Sequence, residues 1–198
     1  MADRDSPTGA HATILRDQIA ATPWLMAALR AARTLDLPHW CIAAGAVRNL
    51  VWERAHDRDT TQYSGADIDL LYFDDREDEA VLEMEVSAKL QELAPDYTWE
   101  PVNQAQVHLW YADVFGESIA PCASLADGMA RWPETATAVG VWLDADDALQ
   151  LIAPLGLDDL YSLTLRHNRH GVSRRQFEAR LTNKAFMQRW PRLTVAAD

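Results

Sequence analysis

Asp67 and Asp69 stand two residues apart in Asp67-Ile68-Asp69, at the head of the run Asp-Ile-Asp-Leu-Leu-Tyr-Phe73. That run is rich in β-forming residues and ends at Asp74-Asp75, so it reads as a strand. The two-residue period of a strand puts both carboxylates on one face, roughly 6–7 Å apart along the chain. Like charges so held repel unless a cation compensates them. Two hard oxygen ligands suit Mg²⁺ (or Mn²⁺), which takes one or two carboxylates together with waters and substrate phosphates. Taken alone the pattern is weak, because acidic pairs facing solvent are common at strand ends. Ile68 and Leu70 would point the other way, into a core.

Upstream, Ala44-Gly-Ala-Val-Arg-Asn49 follows the apolar run Trp40-Cys-Ile-Ala-Ala44 and reads as a strand-to-helix turn. Gly45 lets the backbone approach a ligand, and the free N–H groups of a helix start attract phosphate. Arg48 is the cation nearest that turn; the plainer reading is a helix arginine facing water. Asn103, Gln104 and His108 form a further polar group. Amides suit recognition of a base or ribose hydroxyl, and a histidine can bond a phosphate. The alternative is that the amides cap a strand end and the histidine is satisfied in packing. Asp144, Asp146 and Asp147 fit a hairpin turn, and Asp158-Asp159 a helix start.

The elements that must carry these groups are legible in outline. Thr22-Pro23 starts a helix on Leu25, Ala28, Leu29, Ala32 and Leu35, with a shorter helix before it around Ile14, Leu15 and Ile19. A helix on Leu82, Val86, Leu90 and Leu93 follows the acidic strand and closes at Pro95. Tyr97 to Tyr111 reads as a strand or strand pair, disturbed at Pro101. A short helix is predicted over 124–131 and a hairpin from Val139–Leu143 and Leu149–Ile152. A last helix is predicted over Arg174–Arg189, with Phe177, Leu181 and Ala185 on one stripe. The order predicts an α+β fold, a mixed β-sheet flanked by helices, with a C-terminal β-hairpin and a basic helical segment. Residues 1–10 read as a disordered tail and 11–198 as one domain, its core about 40–115 and its extension about 120–198.

Composition narrows the function. With 48% hydrophobic and 24% charged residues the chain is globular, and no apolar run is long enough for a membrane span. Cys41 and Cys122 are far apart and outside metal-type spacing, as in reduced thiols of a cytoplasmic protein. A net charge of −12 argues against extended nucleic-acid binding. Yet between Thr164 and Thr194 eight basic residues stand against Glu178 alone, a net +7. Either that segment packs on the acidic body, or some of its arginines face a cleft and bind phosphates. Gly-x-Ser-x-Gly, His-Glu-x-x-His and Cys-x-x-Cys are absent, which removes common hydrolase, zinc and redox readings.

Gly45-x-Val-Arg followed by Asp67-Ile-Asp69 resembles the polymerase-β-type nucleotidyltransferase superfamily. Closer still, the chain is similar to a bacterial family of nucleotidyltransferase-like proteins of about this length. The likeness runs through Asp67-Ile-Asp-x-x-Tyr-Phe-Asp74, Asn103-Gln-Ala105 with His108, Trp132-Pro-Glu-Thr-Ala-Thr-Ala-Val-Gly140, Ala153-Pro-x-Gly-Leu157 and Trp190-Pro-x-Leu193. These landmarks cover roughly residues 40–195. The resemblance implies metal at Asp67 and Asp69, a nucleoside triphosphate near Gly45, Arg48 and Asn49, and transfer of a nucleoside monophosphate by in-line attack. It implies a third carboxylate from a later strand, for which Glu100 is the candidate. Two departures stand out: Ala44 replaces the first glycine of the superfamily turn, and Asn49 the usual acid after the arginine. The acceptor would be a small molecule, a protein or an RNA end. The competing expectations are a nucleotide-binding or regulatory module that has lost turnover, and a structural partner in a complex.

Overall fold

The computed structural model describes residues 7–76 and 79–197. Helices α1 (Ala10–Ala20) and α2 (Pro23–Arg33) precede β1 (Cys41–Ala43), α3 (Gly45–Ala55) and β2 (Ile68–Tyr72). Then come α4 (Glu79–Leu93), β3 (Trp99–Asn103), α5 (Val107–Phe115) and α6 (Leu125–Ala130). A 3₁₀ turn at Thr135–Thr137 leads into the hairpin β4 (Gly140–Leu143) and β5 (Leu149–Ile152). The chain ends with α7 (Asp158–Tyr161), β6 (Thr164–Leu165), α8 (Arg174–Lys184), α9 (Phe186–Arg189) and β7 (Thr194–Val195). Residues 1–6 of the expected tail, and the side chain of Leu82, lie outside the described residues; helix α1 already begins at Ala10. No helix among the described residues is long and apolar enough to cross a membrane.

Five strands form a mixed sheet in the order β3-β2-β1-β4-β5. Within this sheet, among the described residues, only β2 and β3 run parallel, joined by the α4 crossover, and β6 and β7 form a separate parallel pair. Alternation along β2 divides its side chains between two faces. Ile68, Leu70 and Tyr72 join the main core with Leu25 and Leu29 of α2, Val47 and Val51 of α3 and Leu90 of α4. Leu71 faces the other way, into a smaller cluster with Cys41, Ala43 and Leu125, Ala126 and Met129 of α6. Because α6 is a short helix, only part of that second face is covered, and Asp69 lies on the remainder.

Two expectations change. The segment 97–111 is not a strand pair: β3 ends at Asn103, and Val107, Trp110, Tyr111 and Phe115 repeat at helical spacing along α5. The predicted terminal helix is broken. Ala185 sits at φ 48°, ψ 36°, the left-handed conformation that ends α8 and starts α9. That break turns Phe186 and Trp190 onto Trp52 of α3, with ring centroids 5.8 and 5.1 Å away. The basic segment therefore closes against the helix that follows Gly45. Much of its charge is met there and nearby: Arg166 pairs with Asp159, Arg180 with Glu134, Arg189 with Glu53 and Arg192 with Asp57.

Candidate active site

The central turn departs from regular geometry. Ala44 holds φ 50°, ψ −119°, a region where a Cβ is strained, at the position where Gly stands in the superfamily turn. Its carbonyl still accepts from Arg48 N (2.8 Å), so the helix starts on schedule. Ala44→Gly is expected to stabilise the fold by about 1 kcal/mol, relief of strain exceeding the added freedom of the unfolded chain. Urea denaturation decides it, and a loss of stability would contradict this backbone conformation. Gly45, the first helical residue, opens toward the acids: a Cβ added there would lie 3.9 Å from Asp69 Oδ2 and 3.7 Å from Asn49 Nδ2.

Asp69 lies within β2, half-buried, and Asp67 is exposed just before the strand. Opposite Asp69 in the parallel register stands Glu100, exposed on β3. Pro101 does not disturb this pairing, which runs unbroken from Ile68↔Trp99 to Tyr72↔Asn103. It is tolerated because β3 is an edge strand. Burial, then the Glu100 charge, raise the Asp69 carboxyl to about 6; Arg48 and the Gly45 N–H oppose the rise, and Asp67 adds to it. Asp69 is thus the meeting point of the glycine turn, the paired aspartate and the acid of the next strand. These three carboxylates are the groups that could hold a hard cation. Among the described residues no three metal-ligating side chains are drawn into one closed cluster. Waters and phosphate oxygens would have to complete the shell, as Mg²⁺ favours.

The arginine expected either at the nucleotide or in water does not face water. Arg48 is buried, its guanidinium 5.0 Å from the Trp52 ring centroid and 4.8 Å from that of Phe186. It donates to Asn49 Oδ1 through Nη2 (2.8 Å) and to Thr137 Oγ1 through Nη1 (3.0 Å). Burial lowers its pKa to about 10, against the attraction of Glu134 and Asp69, while Arg180 and Arg189 push it further down. Arg48 therefore places positive charge behind Asp69 and fixes Asn49 beside Gly45. Sequence spacing missed its cage because Thr137 and Phe186 lie far along the chain.

The remaining candidates separate. Asn103 is buried and spends its amide on the backbone: Oδ1 accepts from Asp74 N and Ala105 N (both 3.1 Å), and Nδ2 donates to Asp74 O (2.8 Å). It caps the strand end, the second of the two readings. Gln104 is also buried and packs beneath Gly128, where a Cβ would come within 2.6 Å of its Oε1. His108 sits on α5 and lines a cavity of about 430 Å³ with Phe73 and Asp75, to which Asp67, Asp69 and Glu100 do not contribute. Its Nδ1 is buried without a partner among the described residues, so it is not satisfied in packing.

One cavity adjoins Asp67, and another begins at Val102, two residues beyond Glu100 on β3. The first, about 90 Å³, is lined by Gly45, Asn49, Glu53, Tyr63, Asp67 and Arg189. The second, about 540 Å³, lies between α5 and α8 and includes Val102, Gln104, Trp132 and Arg180. The model of the family described as nucleotidyltransferase matches residues 30–195, which span the glycine turn, the acids and both cavities. The chain belongs to the nucleotidyltransferase family. A solved structure of similar fold is described in the words "The NMR structure of the protein reveals a CCA-adding enzyme head domain". It aligns with a TM-score of 0.79 and 28% identity, over 94% of this chain and 96% of that one. A search of the curated proteins finds no match. The α+β nucleotidyltransferase fold expected from the sequence is thereby established.

Proposed function

We propose that this chain is a metal-dependent nucleotidyltransferase, moving a nucleoside monophosphate from a nucleoside triphosphate to an acceptor hydroxyl. One observation carries the reading: the Asp69–Glu100 register beside Gly45, which gathers the acids of two strands at a helix start. Asp67 and Asp69 would hold Mg²⁺ (or Mn²⁺), which when bound neutralises charge developing on the phosphates. The start of α3 would offer backbone N–H groups beyond that of Gly45, which bonds Asp69, to the triphosphate, and Asn49, held by Arg48, borders the same space. Glu100, the acid on the edge strand, would take the proton of an attacking hydroxyl. The attacking oxygen bonds the α-phosphorus, the bond from that phosphorus to the bridging oxygen breaks, and pyrophosphate leaves. A cytoplasmic setting, where such triphosphates are abundant, belongs to the same proposal.

Titration calorimetry with a non-hydrolysable triphosphate, with and without Mg²⁺, tests binding, and a pyrophosphate assay tests turnover. Glu100→Gln is expected to keep nucleotide affinity within about threefold while lowering turnover about 10²-fold, as for loss of a general base. Equal turnover in that variant would remove Glu100 from the reaction. Mg²⁺-dependent binding without pyrophosphate release from any acceptor pool would instead identify a nucleotide-binding module.

A further inference from the structure

The 540 Å³ cavity has the volume of a site for a small organic molecule. Its position relative to the acids is set by the sheet. Glu100 and Val102 are two apart on β3 and share a face, and Val102 lines the cavity. The Gly45 turn after β1, Asp69 on β2 and Glu100 on β3 therefore form one row across the sheet, and the cavity begins at Val102, further along the same face of β3. In-line displacement requires the nucleophile and the leaving pyrophosphate on opposite sides of the α-phosphorus. With phosphates at Gly45, the nucleophile arrives from the Glu100 side, and the cavity wall at Val102 lies two residues along β3 from that acid.

The walls specify the occupant's chemistry. Helix α5 has no buried residue, although Val107, Trp110, Tyr111 and Phe115 form one stripe along it. That stripe lines the cavity, with Tyr111 in ring contact with Trp110 and Phe115, and it offers flat surfaces on which a further ring can stack. Across from it, α8 contributes Ala179, Arg180 and Lys184. Arg180 is committed to Glu134, whereas Lys184 makes no ion pair among the described residues. An apolar, aromatic slot with an uncommitted ammonium on its rim suits a planar ring bearing one anionic group.

We propose that this cavity seats the acceptor, and that the acceptor is a small planar aromatic molecule carrying an anionic substituent and a nucleophilic hydroxyl. This rests on the nucleotidyl-transfer reading. The hydroxyl oxygen bonds the α-phosphorus, its proton passes to Glu100, and pyrophosphate departs with the electrons of the broken bond.

The probe is 6-hydroxy-2-naphthoate, which joins a fluorescent ring, a carboxylate and a hydroxyl. Fluorescence titration of the full chain is expected to show one site. Ala179→Trp should weaken it about tenfold or more by filling the slot, and Lys184→Glu about fivefold by reversing the rim charge. Should Ala179→Trp fail to fold by circular dichroism, Lys184→Glu makes the same comparison. Leu109→Glu, on the other side of α5, should change nothing. A saturating non-hydrolysable triphosphate with Mg²⁺ should leave naphthoate affinity within about twofold. With hydrolysable triphosphates, mass spectrometry should find the nucleotidylated naphthoate. Absence of binding, or of product from a ternary complex, overturns the proposal. Competitive displacement by the triphosphate overturns it by making the cavity a nucleobase seat. Displacement by a short single-stranded RNA would assign it to an RNA end, and sensitivity to Leu109→Glu in a sedimenting dimer to a second copy. A wild-type chain that binds no triphosphate would sink the nucleotidyl-transfer reading, while the naphthoate titration still decides whether the cavity binds its ligand.

Discussion

Asp69→Asn is expected to lower pyrophosphate release by about 10³-fold or more and, at pH 7–8, to raise the melting temperature of the metal-free protein. The first effect follows from removing the carboxylate on which the glycine turn and Glu100 converge. The second follows from the cost of keeping that carboxylate charged. Its folded pKa of about 6 lies above the ordinary 3.8, so the folded state holds this proton more tightly than the unfolded state. Stability therefore falls as pH rises through the interval from 3.8 to about 6, and above it the cost is fully present. Asparagine keeps an oxygen for the Gly45 N–H and carries no charge. The gain at pH 7–8 is on the order of 2 kcal/mol, or about 4–8 °C, and it should vanish near pH 4. Mg²⁺ would compensate the same charge in the wild type and narrow the gap between the two proteins. Calorimetric melts at several pH values, with and without Mg²⁺, check both the sign and the window. A lower melting temperature for Asp69→Asn at pH 7.5 without metal would show that Asp69 is not a repelled, partly desolvated group.

Local rules reached the parts of the site that local rules build. The β-forming run after Asp67, the glycine before α3 and the aspartate-rich turn between β4 and β5 each act through neighbours a few residues away. Their positions were legible for that reason. Glu100 was legible only as a type of residue at about the right place. Its alignment depends on β3 being an edge strand, where the missing N–H of Pro101 costs no ladder bond, and strand order is not a local property. The burial of Arg48 was not legible for the same kind of reason: the rings that enclose it come from α3 and, through the left-handed Ala185, from a segment more than a hundred residues away. The run from Val107 to Tyr111 misled because valine, tryptophan and tyrosine favour strands, while the spacing of three and four that continues to Phe115 is helical. The +7 segment divides between the two readings offered for it. Most of its named pairs are with the acidic body, yet Arg180 and Arg189 also line the two cavities.

Arg180→Met is expected to cost about 3 kcal/mol, although it replaces a partly exposed side chain on a helix that buries little else. The cause is Glu134, which is fully buried and meets Arg180 Nε at 2.5 Å. Its second oxygen has no partner among the described residues, so Arg180 supplies the direct hydrogen bond to a charge with no access to water. Removing one member of a buried pair costs about 3–5 kcal/mol, because the other is left uncompensated. Arg48 still attracts Glu134 through space, which places the loss at the lower end of that range. Glu134→Gln should cost only about 1 kcal/mol, since Arg180 can turn to solvent once its partner is neutral. Adding Glu134→Gln to Arg180→Met should then recover about 2 kcal/mol where alone it costs about 1, a coupling of about 3 kcal/mol that a double-mutant cycle in urea measures directly. Additive losses would mean that the two side chains do not depend on each other. The coupling also bears on the site, because Glu134 stands between Arg180 at the cavity and Arg48 behind Asp69. With Arg180 gone, Glu134 is left to Arg48 alone, and the Arg48–Asn49 contact beside Gly45 should loosen. Weaker triphosphate binding by Arg180→Met, restored by Glu134→Gln, is the result that would tie the two cavities together through this buried charge.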